Sequence, residues 1–479
     1  MGLLDRAGAR LTAHPEEAEI LVVNTCSFID TAKQESVDTI LEMARHKTEG
    51  RARKLIVAGC LVERYRDEIQ KNIPEVDAVV GTGELEAILE AAGLASVPAL
   101  ATPSPFNIIT TVRAETRSGK ESLSGTHKAP ASRQEGDHRE RAGRFKRDAW
   151  QGASHLLPTY LYDETTPRFL STPRASAYIK IAEGCDHPCT FCVIPNLRGK
   201  FRSRRFESVV AEAEALVARG VREITLIGQD TTCYGEDFGL KDGLATLLDT
   251  LARIPDLRWL RFLYAYPNRI TGKLLETIAR HDNICKYLDL PLQHASPDVL
   301  KRMKRGAGGE IFLKTLAKVR AAVPGIALRT SFIVGFPGES LRDFEVLEEF
   351  IAEAKFDWLG VFNYSHEEGS AAYALDGQVP KRSIELRRKR LMKLQQSVSR
   401  QSKQNWVGRE LTVLAEGESA ETPLLWEGRT QFHAPEIDGK VYINDFGKLE
   451  NLEAGRFYRA EITEAHDYDL VARIIAPED

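Results

Sequence analysis

The stretch EGCDHPCTFC, residues 183–192, decides the fold. Its three cysteines, Cys185, Cys189 and Cys192, follow directly on an apolar run at 178–182 that is typical of a β-strand. A tight loop with this spacing brings three sulfurs together, so that they can surround one metal centre. On a four-iron cluster, three thiolates leave one iron open. Such an iron can bind the amino and carboxylate groups of a small molecule and pass it an electron.

Two other interpretations of this loop stay open. Cys185, His187, Cys189 and Cys192 together could form a closed tetrahedral zinc site, although His187 lies between two ligands and the rigid Pro188 follows it. Alternatively, Cys192 and its neighbours are part of a buried core.

The pattern of strand and helix continues after this loop. Strand-like runs recur, with helical patterns between them, at 223–227, 259–264, 287–290, 327–334 and 359–364. With 178–182 they make six βα units, more than a doubly wound sheet usually needs and fewer than the eight of a closed barrel. We therefore predict an incomplete parallel barrel in an α/β protein, with its chemistry on the loops that follow the strands.

The N-terminal part, residues 19–94, alternates in the same way, which predicts a small open parallel α/β unit. Cys26 follows its first predicted strand at 20–23, and Cys60 follows its second at 55–58. Both cysteines thus lie where open α/β sheets place ligands, at the carboxyl ends of the strands. The alternative for each is a small side chain buried in the core.

The other segments differ in composition. Residues 96–157 are polar and break the pattern, which predicts a flexible insert or linker. Its ten Lys or Arg against six Asp or Glu at 101–150 leave contact with nucleic acid as an alternative. A basic amphipathic helix is predicted from Arg382 to about Asn405, and five β-like runs within 408–477 predict a small antiparallel β-barrel.

The composition restricts the class of protein. With 479 residues, of which 43% are apolar and 28% charged, the chain resembles globular proteins of about three domains and excludes collagen-like and disordered classes. Seven cysteines without a signal-like N-terminus favour thiolate chemistry or metal ligation over disulfides. No apolar run approaches the length that a bilayer demands, so we expect a cytoplasmic protein with no membrane partner.

Charge is distributed unevenly along the chain. Residues 408–479 carry a net charge of −9, while the whole chain carries −4. An acidic module repels phosphates and suits a basic protein partner. The alternative is that the acidic charge only keeps the module soluble.

The motifs together resemble a known family. A C-x3-C-x-aromatic-C loop on a six-unit βα barrel is similar to the radical S-adenosylmethionine (SAM) superfamily. With Cys26 and Cys60 before it and a β-barrel after it, the chain resembles a methylthiotransferase with a C-terminal TRAM domain. The resemblance implies a methylthiotransferase α/β domain at 1–95, the insert at 96–157, a radical SAM partial barrel at 170–380, a connecting helix at 381–407 and a TRAM β-barrel at 408–477.

This resemblance implies an enzyme with two 4Fe-4S clusters that uses S-adenosyl-L-methionine. Cys185, Cys189 and Cys192 would bind the cluster that cleaves SAM, and the resulting 5'-deoxyadenosyl radical would abstract hydrogen from the β-carbon of an aspartate. Cys26 and Cys60 would bind an auxiliary cluster that presents a methylated sulfur. No residue beyond the cluster ligands is expected to be catalytic, because the cofactors carry the hard step.

The family pattern has a third N-terminal cysteine, and counting back to its position from Cys26 passes beyond Met1. We therefore expect that the chain as given lacks the family's first strand and first ligand of the auxiliary cluster. That cluster would then be one thiolate short.

Three stretches are similar to the branch of the family that modifies an aspartate of small-subunit ribosomal protein twelve. They are VNTCSFID at 23–30, GQDTTCYG at 228–235 and HAPEIDGKVY at 433–442. The implied partners are that basic protein, free or on the ribosomal subunit, and a low-potential electron donor, with no direct tRNA substrate. The alternatives are a tRNA-adenosine methylthiotransferase and, from a different class, a zinc-holding nucleic-acid-binding module.

Loops after the later strands are predicted to bind S-adenosyl-L-methionine, since they lie at the open side of the barrel. A local structural role is the alternative for each candidate. The candidates are Gln229, Asp230, Gln293, Gly335 and Glu339.

Other polar residues near these loops receive no such role. His294 is not needed as a general base, because hydrogen abstraction by a radical requires none. Cys233 and Cys285 lack a ligand-like spacing and are predicted to be packing residues. The basic run 200–205 could bind an acidic substrate or a phosphate, or be a solvated loop.

Overall fold

The computed structural model describes residues 1–94, 161–422 and 424–478. The predicted insert at 96–157 lies outside the described residues. Within these ranges the chain forms an N-terminal α/β unit, an incomplete parallel barrel followed by a long helix, and a C-terminal β-barrel.

The N-terminal unit is a three-stranded parallel sheet covered by helices. Its strands lie in the order β1 (Ile20–Thr25), β2 (Lys54–Gly59) and β3 (Ala78–Val80). Leu55 and Val57 of β2 pack against Ile40 in a continuous buried core. The helices are Gly2–Arg6, Asp30–Glu49, Cys60–Asn72 and Ala87–Ala92.

The central region contains six parallel strands and one short antiparallel pair. The strands are β4 (Ser176–Lys180), the paired β5 (Ala182–Glu183) and β6 (Arg202–Ser203), then β7 (Glu223–Ile227), β8 (Trp259–Phe262), β9 (Tyr287–Asp289), β10 (Ala327–Val334) and β11 (Trp358–Asn363). Strands β4, β7 and β8 form one sheet, and β9, β10 and β11 form another. A bridge between Leu260 and Ile284 joins the two sheets. In the described part of the chain no pairing joins β11 to β4, so the predicted incomplete barrel is confirmed.

Helices alternate with these strands and bury one face against them. The helices of the central region are Ile194–Arg198, Phe206–Ala218, Gly243–Leu251, Gly272–Arg280, Pro297–Arg302, Gly309–Ala322 and Leu341–Ala354. The basic helix predicted from Arg382 spans Lys381–Gln404 and packs against β11.

The C-terminal region forms the predicted five-stranded barrel. Its strands are β12 (Glu410–Glu418), β13 (Trp426–Thr430), β14 (Val441–Asp445), β15 (Phe457–Ala465) and β16 (Leu470–Pro477). The barrel closes in the order β12-β13-β14-β16-β15. The prediction of an entirely antiparallel barrel is corrected at one pair, because β14 and β16 run parallel. A closed ring with an odd number of strands cannot alternate direction at every neighbour.

The C-terminal barrel covers the amino end of the parallel barrel. Tyr287 and Trp358, which each begin a strand, pack there with Phe457. Fully buried Glu223 forms a salt bridge to Arg429 of the C-terminal barrel at 2.7 Å. This junction lies opposite to the carboxyl ends of the strands, where the cysteine loop is found.

Among the helices of the described ranges, none has the length and apolar composition required to cross a lipid bilayer.

Candidate active site

The cysteine loop lies at the carboxyl end of β4, held by its own backbone. The amide of Cys185 donates to the carbonyl of Gly199 at 3.2 Å, and the amide of Cys192 donates to the carbonyl of Cys189 at 3.2 Å. Gly184 has φ +78°, and a Cβ there would lie 2.2 Å from the carbonyl oxygen of Lys200, so only glycine fits. The three thiols lie close enough to influence one another's ionisation.

Burial governs the ionisation of Cys185 and Cys192. Burial raises the pKa of Cys185 to about 11 and that of Cys192 to about 12. The two thiols therefore stay protonated at neutral pH unless a metal stabilises the thiolate. Three half-buried sulfurs on one loop match the ligand set of an iron-sulfur cluster with one open iron.

The His187 ring contacts two residues outside the cysteine loop. Its Nε2 lies 2.5 Å from Oδ2 of Asp230, and its ring stacks on Tyr266 with centroids 3.8 Å apart. This geometry disfavours the alternative of a zinc site made by Cys185, His187, Cys189 and Cys192, because Nε2 and one ring face of His187 already contact Asp230 and Tyr266.

Asp230 is almost fully buried and organises the loop after β7. It accepts hydrogen bonds from the amide of Thr232 at 2.8 Å and from the thiol of Cys233 at 3.0 Å. Burial raises the pKa of the Asp230 carboxyl, but hydrogen bonds from His187 and Cys233 outweigh this effect and lower it overall. The prediction that Cys233 only packs is therefore corrected, since its thiol contacts the carboxylate that orients His187.

Gln229 and Gln293 lie at the same end of the barrel, in the loops after β7 and after β9. The side-chain oxygen of Gln229 is buried and has no hydrogen-bond partner among the described residues. Gln293 has φ +74°, and its backbone pairs with Ser331 and Ile333 of β10. Its strained backbone directs this loop across the end of the sheet.

The turn at 335–339 is built around Glu339. Oε2 of its buried carboxylate accepts the amides of Gly335 at 2.6 Å and Phe336 at 3.1 Å, and Oε1 accepts Arg387 at 2.6 Å. Burial raises the pKa of this carboxyl. Both oxygens are occupied, so Glu339 holds the turn in place, which is the structural alternative considered for this residue.

Two more polar groups have structural roles here. His294 is buried, which lowers its pKa to about 3, and its Nδ1 accepts the amide of Ser296 at 3.0 Å. Arg204 of the basic run 200–205 is buried and forms a salt bridge to Glu212 at 2.5 Å. Of this run, Lys200 and Arg205 are exposed.

Cys26 and Cys60 lie side by side at the carboxyl end of the N-terminal sheet. Thr25 of β1 pairs with Gly59 of β2 in the parallel sheet. Cys26 directly follows the first of these residues, and Cys60 directly follows the second. Cys26 is exposed and Cys60 is buried. Two thiols thus meet at one edge of the sheet, as the strand pattern predicted, and they suit part of the ligand set of a second cluster.

The N-terminal unit is docked on the carboxyl end of the parallel barrel. Glu367, in the loop after β11, accepts Arg64 at 3.0 Å and Lys33 at 2.9 Å and is itself 1% exposed. Arg198 lies on the helix that follows Cys192 and donates to the sulfur of Cys60 at 3.2 Å. The two cysteine sites therefore face the same junction.

These docking residues were missed by sequence reasoning. Glu367 stands in a loop predicted to carry chemistry, but nothing in the sequence pairs it with the N-terminal unit. Arg198 is close to the cysteine loop in sequence, and this proximity is the one signal that could have singled it out. Cys285, by contrast, is buried at the amino end of the barrel among Trp259 and Tyr287.

Comparison with known proteins identifies the family. Three family models match: the radical SAM superfamily at 179–351, the uncharacterized protein family UPF0004 at 1–81 and the TRAM domain at 407–475. The ribosomal protein uS12 methylthiotransferase RimO of Koribacter versatilis is 65% identical over 475 residues, covering 99% of this chain and 92% of that protein. The enzyme of the same name from Solibacter usitatus is 54% identical over 481 residues, covering 100% of this chain and 91% of that protein.

Among solved structures, the radical SAM methyltransferase TsrM of Kitasatospora setae is 16% identical with a TM-score of 0.45, covering 75% of this chain and 64% of that one. The assignment rests on the sequence relatives instead. Their similarity extends over the whole chain, including both cysteine sites. The chain belongs to the ribosomal protein uS12 methylthiotransferase family of radical SAM enzymes.

Proposed function

We infer that this chain is a methylthiotransferase that uses radical SAM chemistry to add a methylthio group to the β-carbon of an aspartate in ribosomal protein uS12. The observation that carries this inference is the junction at which Arg198, next to the three-cysteine loop, contacts Cys60 of the second cysteine site. An enzyme that joins a sulfur group to a carbon radical needs both sites at one end of the molecule.

Enzymes of this family use two 4Fe-4S clusters and S-adenosyl-L-methionine. When bound, these cofactors supply the electron that cleaves SAM, the carbon radical and the sulfur to be transferred. Cys185, Cys189 and Cys192 bind the radical cluster, and Cys26 and Cys60 supply two thiolates to the auxiliary one.

The remaining residues bind and orient S-adenosyl-L-methionine. The unpartnered oxygen of Gln229 is available to accept a hydrogen bond from it. Asp230 orients His187 beside the cysteine loop. Gln293 and Gly335 shape the loops that bound this end of the barrel.

The substrate protein is basic, and the C-terminal barrel supports its recognition by charge. That barrel carries a net charge of −9 over residues 408–479. It lies at the amino end of the parallel barrel, so its charge attracts the substrate without lining the reactive end. The acidic charge disfavours a tRNA substrate. We further propose a low-potential electron donor as partner and a cytoplasmic location.

Product analysis tests this function. The full chain is reconstituted anaerobically with iron and sulfide, then incubated with SAM, dithionite and either purified uS12 or tRNA. We expect 5'-deoxyadenosine and a methylthio group on one aspartate of uS12, found by tandem mass spectrometry, with tRNA unmodified. A Cys192→Ala variant should lose both products, while the matched control Cys285→Ala, at the opposite end of the barrel, should keep them. Modification of tRNA alone would overturn the proposal.

A further inference from the structure

A stack formed by Arg305, Tyr266 and His187 lies against the cysteine loop. The guanidinium carbon of Arg305 is 4.4 Å from the centroid of the Tyr266 ring, and this ring stacks on His187 with an interplanar angle of 8°. His187 belongs to the cysteine loop and is fixed at its far end by Asp230. The stack thus joins the loop after β8 and the segment after Pro297–Arg302 to the cysteine loop.

Arg305 is directed from this stack at one sulfur. Its Nη1 lies 3.6 Å from Sγ of Cys189, and its Nη2 donates to the carbonyl of Pro291 at 2.5 Å. With one nitrogen on a carbonyl and its plane over Tyr266, the guanidinium cannot swing freely away from Cys189.

A fixed cation at a cluster sulfur changes the energy of reduction. Reduction adds one negative charge to the cluster, and hydrogen bonds to its sulfurs stabilise that charge. We propose that Arg305 is a positioning residue that donates to Cys189 and raises the reduction potential of the radical cluster, with Tyr266 as its support. The step is a one-electron reduction in which the electron would come from the low-potential donor and no proton is transferred.

This inference rests on the proposed function, because it takes Cys185, Cys189 and Cys192 as cluster ligands. The test therefore uses the full chain carrying Cys26→Ser and Cys60→Ser, so that one cluster remains. Iron content is measured first, and the reduced fraction is then followed by electron paramagnetic resonance at a series of fixed potentials without SAM. If this parent binds no iron, the proposed function fails independently of the role of Arg305.

We expect Arg305→Gln to lower the ratio of reduced to oxidised cluster about tenfold at a fixed potential, which equals a shift of about 59 mV to more negative values. Tyr266→Leu should shift the potential in the same direction by a smaller amount, because it removes the support but keeps the cation. Tyr266→Phe keeps the ring and loses only the 3.5 Å hydrogen bond from its hydroxyl to the backbone carbonyl of Arg305, so it should shift the potential less than Tyr266→Leu does. The control Lys301→Gln removes an exposed neighbouring charge that contacts no cysteine and should also have no effect.

Two results would overturn the inference. One is an unchanged potential in Arg305→Gln with iron content equal to the parent. The other is a raised KM for SAM with an unchanged potential, which would make Arg305 a contact of SAM. If Arg305→Gln loses its iron, the comparison of Tyr266→Leu with Tyr266→Phe decides, since equal potentials in that pair also contradict the inference.

Discussion

The guanidinium of Arg198 lies 3.2 Å from the sulfur of Cys60, although the two residues belong to different structural units. Arg198 also forms a salt bridge at 2.9 Å to Glu183, which lies two residues before Cys185. Val193 and Leu197, on the same short segment, pack directly on Cys60. The segment that follows the loop of Cys185, Cys189 and Cys192 thus forms one wall around Cys60.

Removing the contact between Arg198 and Cys60 should separate the cleavage of SAM from the transfer of the methylthio group. We expect Arg198→Gln to weaken iron binding at the Cys26 and Cys60 site about tenfold, since loss of a hydrogen bond to a ligand commonly has an effect of this size. Methylthio product should fall, while formation of 5'-deoxyadenosine continues. Iron content and both products are measured together. Lys200→Gln, which removes an exposed charge nearby, serves as the control, and an equal loss in both variants would contradict the prediction.

The buried Glu367 should control how the N-terminal unit docks on the barrel. Glu367→Ala leaves Arg64 buried without its carboxylate, which costs about 3–5 kcal/mol when a buried pair is broken on one side. We expect faster proteolytic release of the N-terminal unit and more 5'-deoxyadenosine per methylthio group transferred. Glu349→Ala, on an exposed helix face, is the matched control. If Glu367→Ala leaves the amount of 5'-deoxyadenosine per methylthio group unchanged, docking does not depend on this residue.

The sequence predicts those parts of the structure that depend on residues close together in the chain. Strand periodicity located all six parallel strands, and the rule that ligands lie at carboxyl ends placed Cys26 and Cys60 together. The orientation of His187 was not predictable, because it depends on Asp230, which follows a different strand. The salt bridge between Arg387 and Glu339 was equally unpredictable, because it depends on how the distant helix Lys381–Gln404 packs.

The salt bridge at the amino end of the barrel should make stability depend on pH in the acid range. Burial alone would raise the pKa of Glu223, but Arg429 and Arg261 outweigh it and hold the pKa at about 2. An unfolded glutamate titrates near pH 4.3, so this group stabilises the fold above that pH and the contribution is lost as the pH falls toward 2.

Glu223→Gln should therefore lower the free energy of unfolding at pH 7 by about 3–5 kcal/mol, because buried Arg261 loses its carboxylate and buried Arg429 keeps only Glu416. Urea unfolding at pH 7 and at pH 3 measures the effect, and the loss should be smaller at pH 3. Glu453→Gln, in an exposed pair with Arg456, should change stability by less than about 1 kcal/mol. Equal losses in the two variants would contradict this account.

Gly335 should tolerate no side chain. Its φ is +80°, and a Cβ would lie 2.3 Å from Cγ1 of buried Ile384. We expect Gly335→Ala to destabilise the protein by about 2–4 kcal/mol through backbone strain and the clash together. Gly325→Ala has a similar φ of +78° but open space around it, so it should cost only about 1 kcal/mol. Thermal unfolding compares the two, and similar losses would show that Ile384 moves aside.

Metal content tests most directly the claim that this chain holds two iron-sulfur sites on separate sets of cysteines. Iron, sulfide and zinc are measured in the anaerobically reconstituted chain and in a Cys185→Ala/Cys189→Ala/Cys192→Ala variant. We predict about eight irons per chain, falling to about four in the variant, which keeps a cluster held by Cys26, Cys60 and a replacement for the missing third thiolate. Loss of all iron in the variant, or zinc in place of iron in the unaltered chain, would contradict the account.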